Sequence, residues 1–141
     1  MSPELAEVRE WLRKARHDRR MAEAGLAQSP PITDAAAFHC QQAVEKYVKA
    51  YLVFRGEAFE LIHDLEALMD QCVRLDPAWE ALRDAVEPLT AYAVRFRYPG
   101  PADPTVAEVL AALDVAANVE RFVSDRLPKT VTAKTEDDEL S

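Results

Sequence analysis

The sequence predicts an all-α fold of about five helices, arranged as an antiparallel bundle with short connections. Apolar residues recur at helical spacing, prolines separate the helical segments, and no alternating apolar run is bounded by hairpin turns. Only three glycines occur among 141 residues, which argues against an all-β fold rich in tight turns. The length and the apolar content of 49 % suit one globular domain.

Two long helices are predicted in the first 56 residues. Ser2-Pro3-Glu4 has the form of an N-cap, a first-turn proline and an acid that favours the positive end of the helix. This helix should end before Pro30-Pro31, because the residue before a proline resists the α conformation. Thr33 or Asp34 then begins a second helix that runs to Gly56, a residue suited to a helix C-terminus. Its broad apolar face predicts a position at the centre of the bundle.

A shorter third helix and a fourth segment are predicted next. The third helix should run from His63 or Asp64 to Leu75. Asp76-Pro77 repeats the signal of a cap followed by a proline and opens the fourth segment. Pro88 should kink or split that segment, because it removes a backbone donor and clashes with the preceding turn.

The last helix is followed by a polar tail. Asp103-Pro104 begins the helix, and the chain after Pro128 changes to Thr, Lys and the acidic run Glu136-Asp137-Asp138-Glu139. This composition cannot bury enough apolar surface to offset the entropy lost on ordering. We therefore expect a bundle domain over residues 1–128 and a disordered tail over residues 129–141.

The charge balance and the hydropathy limit the classes of partner. Lys and Arg number 17 against 25 Asp and Glu, a formal net charge of -8 at pH 7. This balance argues against a protein that coats nucleic acid through bulk charge, although it is compatible with a local basic patch. No apolar run approaches the ~20 residues that span a bilayer, and no signal peptide is recognisable. We therefore expect a cytoplasmic protein that does not associate with a membrane.

Metal sites and nucleophilic sites are not predicted. The three histidines and two cysteines show neither HxxxH nor CxxC spacing, so we expect no metal and no cofactor. No serine or cysteine lies in a nucleophile elbow. Cys40 and Cys72 fall on apolar helix faces, a pattern typical of buried thiols.

One edge of the second helix is polar. Steps of three and four residues place His39, Gln42, Lys46 and Lys49 within about 80° of arc. These side chains offer hydrogen-bond donors and positive charge to a phosphate. The alternative is a solvated helix face stabilised by an i,i+4 ion pair between Glu45 and Lys49. His39 lies in an apolar surrounding, where an imidazole needs a partner.

Two further candidate sites lie at segment ends. His63 and Asp64 either bind a ligand or terminate the loop and cap the third helix. Arg95 and Arg97 stand at a helix end, where cations favour the negative end of the dipole. An arginine that leads into the turn beginning at Tyr98 is equally suited to hold a guanidinium at a cleft, where it grips phosphate. Spacing does not choose between these interpretations.

The first helix contains the most basic stretch of the chain. Between residues 9 and 20 six cations accompany two acids: Arg9, Arg13, Lys14, Arg16, Arg19 and Arg20 against Glu10 and Asp18. A solvated outer face explains this stretch. It is also the surface best suited to phosphate, to an acidic partner or to the acidic tail of the same chain.

Three segments together resemble the HEPN domain family, the higher eukaryote and prokaryote nucleotide-binding domain. They are residues 38–50 (FHCQQAVEKYVKA), His63-Asp64-Leu65 and Arg97-Tyr98-Pro99, within a resemblance that spans about residues 5–127. The resemblance implies an antiparallel up-and-down bundle of four long helices plus a short helix, which dimerises through its central helices. It also implies a minimal nucleotidyltransferase as partner, since small prokaryotic members often form toxin–antitoxin-like pairs with such a protein.

The resemblance further implies where a site would lie. Many family members are metal-independent ribonucleases that use an arginine followed four to six residues later by a histidine. Arg97 matches the arginine and is the candidate catalytic residue, but residues 98–103 contain no histidine. We therefore expect binding of a nucleotide or an RNA phosphate by His39, Gln42, Lys46, Lys49, His63, Asp64, Arg95, Arg97 and Tyr98. The alternatives are a metal-independent ribonuclease toxin with a degenerate site and a purely structural dimerisation or partner-binding module.

Overall fold

The computed structural model describes residues 1–59, 64–100 and 102–133, and in those residues it contains helices and no strand. The predicted all-α bundle is confirmed. The α-helices are α1 (Pro3–Leu26), α2 (Thr33–Phe54), α3 (Leu65–Leu75), α4 (Arg83–Val86), α5 (Tyr92–Arg97), α6 (Val106–Ser124) and α7 (Lys129–Thr132). Two 3-10 helices, η1 (Pro77–Leu82) and η2 (Glu87–Ala91), flank α4.

Capping residues set several of the helix ends. The Ser2 hydroxyl accepts a hydrogen bond from the Leu5 amide at 3.2 Å, and Pro3 occupies the first turn of α1. Thr105 and Glu108 form a capping box at the start of α6, so the predicted start at Asp103-Pro104 is wrong by two residues. The fourth segment, which the sequence predicts to be kinked or split at Pro88, consists of η1, α4, η2 and α5.

Helix α2 lies at the centre of the bundle, as its broad apolar face predicts. It packs against α1, α6, α5 and α3, and most of its residues are buried. Close approach of α1 to α2 requires small side chains at their contact. A Cβ on Gly25 would lie 3.2 Å from both the Ala36 Cβ and the Ile32 carbonyl oxygen. Glycine at this position therefore lets the chain turn tightly from α1 into α2.

An aromatic cluster attaches the fourth segment to the centre of the bundle. Trp79 of η1 is fully buried, with ring centroids 4.9 Å from Tyr51 of α2 and 4.7 Å from Phe122 of α6. Tilted and edge-to-face pairs of this kind add to the free energy gained from area burial. The cluster therefore joins three elements that are distant in the chain.

Packing continues beyond the predicted domain boundary at residue 128. Val131 of α7 is fully buried, and the Thr132 carbonyl accepts a 2.9 Å hydrogen bond from the Arg16 guanidinium of α1. Val131 thus packs within the fold although its segment is otherwise polar, and Arg16 hydrogen-bonds the backbone carbonyl at the end of α7. Residues 134–141, with the acidic run of the predicted tail, lie outside the described residues, as does His63.

Within the described residues, no helix combines the length and the hydropathy needed to cross a bilayer.

Candidate functional site

A polar seam lies along one side of the contact between α1 and α2. We call it the α1–α2 seam, and it comprises Trp11, Lys14 and Asp18 on α1 and His39, Gln42, Lys46 and Lys49 on α2. On each helix these residues recur at steps of three or four, so they share a side. Because a short turn joins the two helices, they run antiparallel and the two rows meet.

The carboxylate of Asp18 joins His39 to Lys46. Its Oδ1 lies 2.8 Å from Nδ1 of His39, and its Oδ2 accepts a hydrogen bond from Nζ of Lys46. Asp18 is only 7 % exposed, whereas the side chains of His39 and Lys46 retain 25 % and 23 % of their exposure. The buried carboxylate is thus paired with an imidazole and an ammonium group whose side chains still reach the surface.

This arrangement fixes the orientation of the His39 ring. An ionised carboxylate only accepts hydrogen bonds, so Nδ1 is the donor to Asp18. Within the described part of the chain Nε2 has no hydrogen-bond partner. The neutral ring therefore presents an acceptor at Nε2, and the protonated ring presents a donor there.

Sequence reasoning did not include Asp18 among the site residues. A signal was nevertheless present, because Asp18 lies three residues after Ala15 and four before Ala22, on the buried face of α1. A carboxylate on an apolar face requires a partner. The identity of that partner depends on how α2 packs, which the spacing within α1 does not reveal.

Lys49 lies much deeper than the other lysines of the seam. It is 4 % exposed, and its Nζ is 3.8 Å from Oε2 of Glu45, so the predicted i,i+4 pair is confirmed. The same Nζ lies 5.3 Å from the ring centroid of Trp11 and 5.5 Å from that of Phe59. The interpretation of this edge as a solvated face is therefore wrong at Lys49.

A groove of about 560 Å³ opens along the seam. It is lined by Glu7, Glu10, Trp11, Lys14, Gln42, Glu45, Lys46 and Lys49. Its three carboxylates already have partners: Glu7 accepts from the Trp11 indole, Glu10 binds Arg13, and Glu45 pairs with Lys49. Exposed Lys14 forms no ion pair among the described residues, so the groove retains a free ammonium group.

The candidate residues at the end of α5 lie beside the seam and not within it. Phe96 stacks on Phe38 of α2 at 4.6 Å, and Phe38 in turn contacts the His39 ring at 5.4 Å. Arg97 and Tyr98 are exposed and form no hydrogen bond or ion pair within the described chain. The structure thus places Arg97 next to a residue that packs on α2, without direct contact to the cations of the seam.

Arg95 has a local structural partner. Its guanidinium donates a 2.6 Å hydrogen bond to the Ala102 carbonyl and lies 5.8 Å from the centroid of the Tyr92 ring. It therefore bridges the turn that follows α5.

Asp64 caps α3 as predicted, accepting a hydrogen bond from the Ala67 amide at 3.2 Å. It also lines a separate cavity of about 280 Å³ with Gln41, Leu65, Glu66 and Thr90. The neighbouring candidate, His63, lies outside the described residues. Among the described residues Asp64 forms no hydrogen bond with the α1–α2 seam, although Gln41 of its cavity accepts a 2.7 Å hydrogen bond from the Gln42 side-chain amide.

Part of the basic stretch of α1 points inward and is neutralised there. Glu120 of α6 lies 3.4 Å from Arg16 and 3.0 Å from Arg19, and it accepts a 2.6 Å hydrogen bond from the Tyr47 hydroxyl. Burial, followed by the charge of Glu120, raises the pKa of Tyr47 far above its usual range. This network joins α1, α2 and α6, so a solvated outer face does not account for Arg16 and Arg19.

The cysteines are buried and held in the thiol form. Burial raises the pKa of Cys40 to about 12 and that of Cys72 to about 12. Among the described residues, no three His, Cys, Asp or Glu side chains are grouped so as to hold a metal ion.

Comparison with known proteins decides the family. The family model described as HEPN domain matches residues 8–127. The chain belongs to the HEPN domain family. The matched range contains every residue of the α1–α2 seam together with Arg97, and the architecture implied by the resemblance is the one observed.

A solved structure supports the same assignment. This HEPN domain is similar to TT1696 from Thermus thermophilus, with 32 % sequence identity and a TM-score of 0.71. The similarity covers 85 % of this chain and 98 % of TT1696. None of the curated proteins compared with the chain matches it.

The pairing of Asp18 with Lys46 predicts a measurable coupling energy. In a double-mutant cycle of Asp18→Ala and Lys46→Ala, we expect about 0.5–3 kcal/mol of coupling in the free energy of unfolding. Asp18→Ala leaves the half-buried ammonium of Lys46 without its partner, and Lys46→Ala leaves the buried carboxylate of Asp18 with His39 alone. The exposed pair Glu80–Arg83 is the control, for which we expect about 0–1 kcal/mol. Denaturant titration measures both cycles, and equal coupling in the two would contradict the role given to Asp18.

Proposed function

We propose that this HEPN domain protein binds a nucleotide or an RNA phosphate at the α1–α2 seam. The observation that carries the proposal is the groove of about 560 Å³, which brings Lys14, Lys46 and Gln42 together beside Trp11. Its volume lies within the roughly 300–1,000 Å³ typical of small-molecule sites. Aromatic rings stack on bases, and amide and ammonium groups donate hydrogen bonds to bases and phosphates.

The groove is lined by three glutamates and three lysines, so an anionic ligand depends on the ammonium groups that remain accessible. The groove's carboxylates are each engaged by a neighbouring donor, whereas Lys14 is free and Lys46 still exposes part of its ammonium. A phosphate entering between these two lysines gains charge-assisted hydrogen bonds. Repulsion from Glu7 and Glu10 is reduced, because the Trp11 indole and Arg13 already hold them.

The rim residues extend the proposed site toward α5. His39 and Arg97 are the sequence neighbours of Phe38 and Phe96, whose rings stack at 4.6 Å. We propose that an RNA strand bound at Lys14 through one phosphate extends toward Arg97 with another. Tyr98 offers an exposed ring beside Arg97 for a base.

Binding is tested with a fluorescein-labelled RNA pentanucleotide, followed by anisotropy as the salt concentration is varied. We expect Lys14→Ala to raise the Kd about three- to tenfold and to reduce the salt slope by about 0.7, the value for one lost contact with a single strand. Arg97→Ala should have a similar effect. Neither residue forms an ion pair in the described chain, so both variants should fold.

Matched controls are Lys129→Ala and Arg74→Ala, which remove exposed cations outside the seam. Their Kd should stay close to that of the unchanged protein. Loss of affinity only in Arg97→Ala would move the site to α5 alone. Equal binding by all variants, or no binding by the unchanged protein at low salt, would reject the proposal.

The orientation of His39 favours a second candidate function, metal-independent ribonuclease activity. The family arginine has no histidine after it in residues 98–103, but Asp18 orients the ring of His39, whose neighbour Phe38 stacks on Phe96 of α5. A carboxylate-oriented imidazole can act as general acid or base on a ribose hydroxyl, and Arg97 can stabilise the phosphorane charge.

Cleavage of a labelled RNA in the presence of a chelator tests this second function. Activity that falls at least about 100-fold in both His39→Ala and Arg97→Ala would support it, since general acid–base groups contribute roughly 10²–10⁴-fold. Activity that is unchanged in both variants belongs to a contaminant. Intact RNA would leave binding as the function of the seam.

We further propose that the protein works as a homodimer and pairs with a minimal nucleotidyltransferase, as the family resemblance implies. Exposed apolar side chains on and after α5 support a subunit contact there: Val94, Phe96 and Tyr98 are 58 %, 40 % and 64 % exposed. Phe96 also forms the Phe38–Phe96 stack, and this proposed contact lies on α5, whereas the resemblance implies a dimer through the central helices.

Light scattering of the purified chain tests the assembly. We expect twice the 15.8 kDa mass of the chain, and a return to the monomer mass in Val94→Asp, because a buried carboxylate without a partner opposes association. Leu110→Asp on α6, where Leu110 is 51 % exposed, serves as the control and should remain dimeric. A monomeric unchanged protein, or a dimer that tolerates Val94→Asp, would contradict this contact.

A further inference from the structure

A second cationic surface lies on the side of α1 that faces away from the seam. Arg9, Arg13, Arg16 and Arg20 are separated by steps of four, three and four residues, which places them within about 60° of arc. We call these four residues the α1 arginine face. The seam residues Trp11, Lys14 and Asp18 project from roughly the opposite side of the helix.

The charge of this face is only partly compensated. Like charges three and four residues apart on a helix repel each other. Arg13 pairs with Glu10, and Arg16, which is only 9 % exposed, is buried against Glu120, so the accessible uncompensated charge of this face lies at its two ends. Arg9 and Arg20, at the two ends of the face, form no ion pair within residues 1–59, 64–100 and 102–133. An anion at either end would relieve the repulsion.

The structure brings the C-terminal part of the chain to the middle of this face. The guanidinium of Arg16 donates to the Thr132 carbonyl at 2.9 Å, and the adjacent Val131 is fully buried. Helix α7 is therefore fastened to α1 at the third of the four arginines. Whatever follows Thr132 starts from this point.

The sequence that follows has the complementary charge and sufficient length. Glu136, Asp137, Asp138 and Glu139 are four consecutive acids, and they come four to seven residues after Thr132. An extended chain covers about 3.3 Å per residue, so the run can reach roughly 13–23 Å from Thr132. Arg20 and Arg9 are only about 6 and 10 Å from Arg16 along the helix axis. Both ends of the face are within reach.

We propose that the acidic run of residues 136–139 binds the α1 arginine face. Because only a few residues separate the run from its anchor at Thr132, its effective concentration at the face is of the order of millimolar. A separate acidic peptide or a nucleic acid must compete with that concentration. The bound run thus shields this face and leaves the α1–α2 seam as the surface open to phosphate ligands.

The proposal does not depend on the proposed function, since the two surfaces lie on different sides of α1. Tail variants can be assayed for contact without any RNA present. Conversely, RNA binding through Lys14 and Arg97 does not require residues 136–139.

A nitroxide label on a Ser141→Cys variant of the full chain tests the contact. Cys40 and Cys72 are fully buried, so the label attaches selectively to the introduced thiol. At an ionic strength of about 0.01 M we expect paramagnetic broadening of the α1 amides around Arg9 and Arg20. At about 1 M, where the Debye length falls from about 30 Å to about 3 Å, the broadening should decrease several-fold.

Two variants of the labelled chain decide the outcome. Arg9→Gln with Arg20→Gln should abolish the broadening, and so should neutralising the four acids to Gln and Asn. Arg74→Gln with Arg121→Gln makes the same change in net charge elsewhere and should preserve it. Broadening that survives in the Arg9 and Arg20 variant, that centres on another surface, or that is absent at low ionic strength would overturn the proposal.

Discussion

A buried carboxylate at the contact of α1 and α2 organises the polar side of an otherwise apolar bundle. Asp18 lies between alanines on the inward face of α1, where an unpaired charge would be costly. It is stable there because α2 supplies His39 and Lys46 at the correct register. Any sliding or rotation of α2 relative to α1 would separate these groups, so the ionic contact selects one packing of the two helices.

The remainder of the α1–α2 seam depends on that register. Once Asp18 holds Lys46, the next turns of the two helices bring Lys49 against Trp11 and place Gln42 beside Lys14. The same register turns the other side of α1 toward α6, where Glu120 gathers Arg16, Arg19 and Tyr47. One helix thus contributes to two polar networks on different sides, and the strongly basic composition of α1 reflects both.

The HEPN family match establishes the architecture, and the geometry shows which side chains meet at the candidate site. The family match covers residues 8–127 and fixes the architecture, whereas the histidine expected after the family arginine is missing from residues 98–103. The structure offers a different imidazole, His39, held by a carboxylate and separated from α5 by two stacked rings.

The sequence alone determined the long helices and most of their ends, because proline, capping residues and apolar spacing act within a few residues of one another, but it placed the start of α6 at Asp103-Pro104 and missed α7. It identified Asp64 as a cap, Pro88 as a breaker and α2 as the central helix for that reason. Only the tertiary structure decided which polar side chains meet. Asp18 and His39 are 21 residues apart and Arg16 and Thr132 are 116 apart, and such contacts depend on how whole helices pack. Helix α7, which is anchored by the buried Val131, was not predicted, because the average composition of a segment does not show that one side chain packs against another helix.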